Sequence, residues 1–295
     1  MKTAALIHSQ VTPQARRFLH CWVFGIWFLI ILRDPFVDLA YLPPEAFQPT
    51  GILTIPFSQG YLIQPILWAL KIGLLVFLAA AFLNIRFVVT AGVSGLLLTV
   101  QQGLIRGFGH VSHGEIVLLL AAYVLSLAAI ADAVLYKKSS RVPEGINLNS
   151  FPFIGILAVM CFTYAFTGIR RLVYSGLEPY TTDTILAHVL VNSLISDTWS
   201  FRMHEFVFSH TWMQLLLKVG FPVITFFEVL APLCLVSRLF RYAFVIVMLP
   251  FHLLSWIFMG VFFWETMVLY MLFFDFSSVL QRNFFMTRQT SPSVV

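Results

Sequence analysis

Eight long apolar runs make up most of the chain, and the segments between them carry most of its charged residues. A helix needs roughly 20 mainly apolar residues to cross a bilayer, and it satisfies its own backbone hydrogen bonds there. The runs therefore predict an all-α, polytopic transmembrane bundle of about eight spans without a sizeable soluble domain. The eight runs are Phe18–Leu32, Tyr61–Leu83, Phe87–Ile105, Glu115–Tyr136, Phe153–Leu172, Met213–Ser237, Phe240–Met259 and Val261–Leu280.

The composition indicates that lipid is the main solvent of this chain. Of 295 residues, 59% are hydrophobic and 11% are charged, whereas a soluble domain carries about 25% charged residues. The net charge of +5 lies between the apolar runs, which is typical of membrane topology and does not indicate a nucleic-acid partner. The three cysteines have no paired spacing, so we predict that they pack and that they form no metal site.

The basic residues between the runs predict the orientation of the chain. With the N-terminus in the cytoplasm, eleven Lys and Arg residues fall in inside segments and five in outside segments. This asymmetry follows the positive-inside rule, so we predict a multi-pass protein of the cell membrane with both termini in the cytoplasm. Residues 1–15 would form a cytoplasmic N-terminal segment, 16–280 the transmembrane domain and 281–295 a cytoplasmic tail.

One predicted outside segment, Val173–Trp212, contains an amphipathic run from Thr182 to Leu194. The apolar residues of this run recur near helical spacing. We therefore predict a helix that lies on the membrane surface or caps the bundle.

A first polar cluster lies at the predicted outer boundary, between Gln101 and Glu115. It contains Arg106, His110 and His113, and histidine gains or loses a proton near neutral pH. The cluster could handle protons, or it could be an interfacial turn whose polar groups meet water. Both interpretations remain open.

A second cluster is the adjacent pair Arg170 and Arg171, which ends a span on the predicted outside against the general charge trend. Guanidinium groups bind carboxylates and phosphates bidentately. The pair could therefore hold an anion, or its side chains could extend to lipid headgroups.

Glu228 and His252 form a third candidate site, because each lies in the middle of an apolar run. Ionisable residues at membrane depth are costly and usually face the bundle interior or a wet cavity. We predict that both side chains face the interior. They could take part in chemistry, or a neutral glutamic acid could bond to the histidine in a purely structural role.

Three patterns, in this order along the chain, resemble the HTTM family, the transmembrane module shared with vitamin K-dependent gamma-glutamyl carboxylase. The resemblance covers about Arg16 to Ser278, nearly the whole sequence. The patterns are Ser112-His113-Gly-Glu-Ile-Val with Leu127–Ala133, then Tyr164–Leu172, then Phe227-Glu228 with Arg241, Phe251-His252 and Gly260-Val-Phe.

The resemblance implies a helical membrane fold and allows a quinol as cofactor. In the carboxylase, a lysine of the second pattern deprotonates reduced vitamin K, and a histidine of the first pattern assists. These roles fall on Arg171 and His113 here. A guanidinium stays protonated at ordinary pH and cannot act as a neutral base. We also expect no counterpart of the carboxylase's large lumenal domain. We therefore expect a short bacterial-type member without glutamyl carboxylase activity.

Three functions remain open at this point. The first is a membrane enzyme that acts on a lipidic or peptide substrate in an outward-facing polar cavity. The second is a non-catalytic factor for the maturation or export of a secreted peptide. The third, a proton-coupled transporter, is least favoured, because the sequence shows no inverted repeat. The residues that we expect to line the enzyme's cavity are His113, Arg170, Arg171, Glu228 and His252.

Overall fold

The computed structural model of the chain describes residues 11–48, 63–108, 113–138, 149–176, 180, 183–195, 203–261 and 263–274. Residues 113–114, 135–138, 193, 195 and 203 are described by their backbone alone. The regular structure in these ranges is helical, which confirms the all-α prediction. The chain divides into two compact units. The N-terminal unit contains His8–Ile156, and the C-terminal unit contains Leu157–Asp275.

The described part of the N-terminal unit has four long helices, α1 (Pro13–Arg33), α2 (Gln64–Phe82), α3 (Phe87–Gly107) and α4 (His113–Lys138). Each of these helices packs against the next, and α4 also packs against α1. Helix α1 starts where Thr12 Oγ1 accepts a hydrogen bond from the Ala15 amide, a common way to satisfy a free N–H at a helix start. The turn between α2 and α3 contains Asn84 and Arg86, both with positive φ.

Helix α5 (Phe151–Ser175) begins in the N-terminal unit and continues into the C-terminal unit. The described helices that follow α5 are α6 (Thr184–Ile195), α7 (Met203–Ser209), α8 (Thr211–Val229), α9 (Arg238–Met259) and α10 (Trp264–Met267). In the C-terminal unit, α9 packs against α6, α7 and α8 and against two 3-10 segments, Ala231–Leu235 and Tyr270–Phe273.

Helix α6 confirms the predicted amphipathic helix in this region. Its apolar residues Ile185, Leu186 and Val189 are buried in a cluster with residues of α7, α8 and α9. This helix therefore packs on the C-terminal unit through its apolar face.

Within the described ranges, seven helices are long and apolar enough to cross a membrane. The sixth predicted run ends as an α-helix at Val229 and not at Ser237, because Pro232 lacks the amide that would continue the helical hydrogen bonds. In the described part of the eighth run, the short helix Trp264–Met267 is followed by a 3-10 segment. The chain is thus a multi-pass helical membrane protein of about eight spans.

Candidate functional site

The structure brings the predicted site residues of the C-terminal unit into two hydrogen-bonded groups. Arg170, Arg171, Glu228 and His252 all belong to this unit, whereas His113 belongs to the N-terminal unit. The side chain of His113 lies outside the described residues. The hypothesis that His113 shares one site with the arginines therefore stays a prediction.

Arg171 and Glu228 form an ion pair that connects α5 to α8. The Nη1 atom of Arg171 donates to Glu228 Oε2 at 2.6 Å and to Thr225 Oγ1 at 3.0 Å, and Nη2 lies 3.4 Å from Oε1. The guanidinium carbon lies 4.8 Å from the centre of the Phe221 ring. The Glu228 side chain is only 3% exposed. The carboxylate is thus buried with its charge compensated, as an ionised group at membrane depth requires.

Gly168 allows this pair to form, because α5 and α8 approach each other closely at this residue. A Cβ atom on Gly168 would lie 2.9 Å from Glu228 Cβ and 3.0 Å from both the Val229 amide nitrogen and Val229 Cγ2. Contacts this short include backbone that cannot rotate away. Glycine therefore sets the spacing between the two helices, one turn before Arg171.

Arg170 points away from this pair. Its side chain is exposed, and its guanidinium carbon lies 5.4 Å from the centre of the Tyr174 ring on the same helix. Adjacent residues of a helix are rotated by about 100° around its axis. The two arginines therefore have different partners in the structure, since the Arg171 guanidinium binds the Glu228 carboxylate. That the pair holds an external anion stays a prediction.

A second group joins His252 of α9 to two buried tyrosines. The Tyr164 hydroxyl lies 2.7 Å from His252 Nε2 and 2.6 Å from the Tyr270 hydroxyl. Tyr164 is 8% exposed, Tyr270 4% and His252 4%. The other ring nitrogen of the histidine, Nδ1, is buried without a hydrogen-bond partner among the described residues. These contacts connect α5, α9 and the segment Tyr270–Phe273.

The two groups lie along the same face of α5. Tyr164, Gly168 and Arg171 are spaced four and three residues apart, and this spacing places side chains on one side of a helix. The second and third sequence patterns thus meet in these two buried hydrogen-bonded groups.

The prediction that Glu228 and His252 face the interior is confirmed, since both are buried. Their partners are different from those expected, because Glu228 pairs with Arg171 and His252 with Tyr164. Sequence reasoning did not name Tyr270 as a site residue. A single tyrosine in an apolar run carries no periodic signal, and only the fold brings its hydroxyl to Tyr164.

Two cavities in the C-terminal unit are lined mainly by apolar side chains, whereas the sequence predicts a polar cavity. The larger, of about 380 Å³, lies beside the Arg171–Glu228 pair and includes Tyr180, Thr225 and Phe226 in its lining. The Tyr180 hydroxyl donates to Thr225 Oγ1 at 3.1 Å. Among the residues that the structure describes, no cluster of His, Cys, Asp and Glu could hold a metal ion.

The N-terminal unit contains a separate polar network within the first predicted cluster. Gln101 donates to Asp34 Oδ2 at 2.6 Å, and Gln102 donates to Glu115 Oε2 at 2.6 Å and to Gln101 Oε1 at 3.0 Å. Both glutamines are buried. Two nitrogen atoms of Arg106, Nε and Nη2, are buried without a partner in the described part of the chain. Glu115 thus accepts a hydrogen bond from the Gln102 amide, and His110 lies outside the described residues.

Comparison with known proteins finds no relative of this chain. No family model matches the chain, and no curated protein and no solved structure matches it.

Proposed function

We propose that this chain is a membrane protein of the HTTM type whose C-terminal unit transfers protons during a reaction on a lipidic or peptide substrate. The observation that carries the proposal is the buried hydrogen-bonded chain from Tyr270 through Tyr164 to His252. Each hydroxyl can donate one hydrogen bond while it accepts another, and a neutral imidazole can do both. Such a chain can pass a proton between its ends, and histidine is the usual group for this role near neutral pH.

The arrangement of the sequence patterns supports the HTTM assignment. Tyr164, Gly168 and Arg171 of the second pattern contact Glu228 and His252 of the third. The two patterns therefore lie against each other, as a shared site would require.

The proposed reaction does not include carboxylation of glutamate. The Arg171 guanidinium, which stands where the family has its base lysine, is bound to the Glu228 carboxylate. It remains a fixed cation, which stabilises negative charge but does not accept a proton.

A quinol, which the resemblance allows as cofactor, fits the residues beside this pair. The cavity of about 380 Å³ is lined by Tyr180, Phe226, Leu172 and Thr225 among others, and its size lies within the usual range for small ligands. Aromatic faces could hold the ring, and the Tyr180 hydroxyl, which donates its proton to Thr225 Oγ1, could accept a hydrogen bond from a quinol O–H. When bound, a quinol would supply electrons and exchangeable protons.

The proposal places the protein in the cell membrane with both termini in the cytoplasm, on the basis of the basic residues between its spans. A second candidate function is a non-catalytic factor that binds a secreted peptide for maturation or export. The mainly apolar lining of the larger cavity favours this alternative, because an apolar peptide could bind there without any chemistry.

The test is a conversion assay with purified protein in nanodiscs, supplied with lipids and secreted peptides of the source cells. Untargeted mass spectrometry would identify any compound that changes only when protein is present. We expect Tyr164→Phe and His252→Gln to slow this conversion at least tenfold. The matched controls Tyr174→Phe and His188→Gln alter exposed side chains and should convert at the wild-type rate.

The melting temperature of each variant separates loss of chemistry from loss of folding. Variants that fold normally and still convert at the wild-type rate would overturn the proton-transfer role. A peptide that binds the wild-type protein without any change in mass would favour the non-catalytic factor.

A further inference from the structure

A second, smaller cavity in the C-terminal unit lies between α6, α8 and α9. Its volume is about 120 Å³. No charged side chain lines it, and the one side-chain hydroxyl in its lining belongs to Ser255. The other lining residues are Ile185, Val189, Leu216, Leu217, Gly220, Phe221, Ile224, Phe251, Leu254, Phe258 and Met259.

Ser255 is buried in this lining with its hydroxyl unpaired. The residue is 3% exposed, and its Oγ atom has no hydrogen-bond partner within the described ranges. Serines inside helices often bond the carbonyl four residues earlier, as Ser126 does with the Ala122 carbonyl at 2.8 Å. An unpaired buried hydroxyl is costly. A ligand with a hydrogen-bond acceptor would remove that cost.

The cavity opens at the apolar surface of the unit. Leu216 and Leu254 line it and are 51% and 37% exposed. In a multi-pass membrane protein, apolar surface of this kind faces lipid. An acyl chain can therefore reach the cavity from the bilayer without crossing water.

We propose that this cavity binds the acyl chain of a membrane lipid, and that the buried Ser255 hydroxyl turns to another staggered rotamer to donate a hydrogen bond to the ester carbonyl. An apolar cavity of about 150 Å³ takes a ligand the size of benzene, so this one holds a short part of the chain. A peptide fits less well, because its amides would bring N–H donors, and the lining offers them one hydroxyl oxygen at most. The inference rests on the cavity and on Ser255, and it does not require the reaction proposed for Tyr164 and His252.

Photolabelling tests this proposal with purified full-length protein in nanodiscs. The probe is a phosphatidylcholine with a diazirine on one acyl chain, and peptide mass spectrometry locates the labelled residues. We expect concentrated labelling of the cavity faces of α8 and α9. A Cβ on Gly220, which lines the cavity, would meet no heavy atom within 4 Å. Gly220→Leu should therefore fill the cavity and reduce labelling there at least fivefold.

The matched control is Gly92→Leu on α3, where a Cβ also meets no heavy atom within 4 Å. This variant should leave the labelling of α8 and α9 unchanged. Similar melting temperatures for the two variants would show that filling the cavity, and not unfolding, reduces labelling. Equal labelling of α8 and α9 in Gly220→Leu and wild type would overturn the proposal.

A competition experiment tests the hydrogen bond itself. An unlabelled fatty-acid methyl ester should compete about fivefold better than the alkyl ether of the same length, because only the ester has a carbonyl. In Ser255→Ala, the ester and the ether should compete equally. If the ester and the ether compete equally in the wild type, the hydrogen bond from Ser255 is contradicted. If an apolar peptide competes more strongly than the ester, the ligand is a peptide and the lipid proposal is refuted.

Discussion

The close contact of α5 and α8 at Gly168 leads to a quantitative prediction for Gly168→Ala. The new methyl group would meet Glu228 Cβ at 2.9 Å and the Val229 amide nitrogen at 3.0 Å. Carbon atoms prefer separations of about 3.5–4.0 Å, so the helices would have to move apart by roughly 0.5–1 Å. The Arg171–Glu228 hydrogen bond, now 2.6 Å, would then exceed the usual length of about 2.7–2.9 Å for a charge-assisted bond.

Two opposing contributions determine the expected stability of this variant. Alanine is favoured over glycine within a helix by about 1 kcal/mol. Overpacking typically costs about 1–3 kcal/mol, and a weakened buried ion pair adds to this cost. We therefore expect the free energy of unfolding of Gly168→Ala to fall by about 2 kcal/mol.

Unfolding by SDS in mixed micelles, followed by circular dichroism, would measure this change. The matched control is Gly220→Ala in α8, where the new methyl group has no heavy atom within 4 Å. This control should be at least as stable as the wild type. If Gly168→Ala proves as stable as Gly220→Ala, the helices do not approach closely at Gly168 and the reasoning fails.

Three further predictions follow from the ion pairs and the topology. Arg171→Met should lower the free energy of unfolding by about 3–5 kcal/mol, because it leaves the buried Glu228 carboxylate unpaired. The double variant Arg171→Met, Glu228→Leu should lose clearly less free energy of unfolding than the single variant. Equal losses for the two variants in an SDS titration would contradict this account. Arg16 pairs with Asp132 in the N-terminal unit, so Asp132→Asn should lower the melting temperature. The double variant Asp132→Asn, Arg16→Met should recover part of that loss in melting temperature. An unchanged melting temperature in Asp132→Asn would show that the pair contributes nothing. Reporter fusions at the C-terminus and in the segment between α5 and α6 should report opposite sides of the membrane; the same side for both would refute the predicted topology.

The membrane class and most helix positions could be predicted from the sequence alone. An apolar run of about 20 residues predicts a transmembrane helix, because the backbone must form its own hydrogen bonds within the bilayer. For the same reason, the burial of Glu228 and His252 followed from their position in the middle of apolar runs. The apolar periodicity of residues 182–194 also identified α6 correctly.

The partners of the buried polar residues were decided only by the tertiary structure. Glu228 could have bonded to His252, and the two arginines could have shared one anion, since both pairings agree with the sequence. The fold instead places Arg171 against Glu228 and Tyr164 against His252. Helical rotation separates Arg170 from Arg171, and the approach of α5 and α8 at Gly168 determines which carboxylate Arg171 reaches. These are distances between helices far apart in the chain, and local sequence patterns contain no information about them.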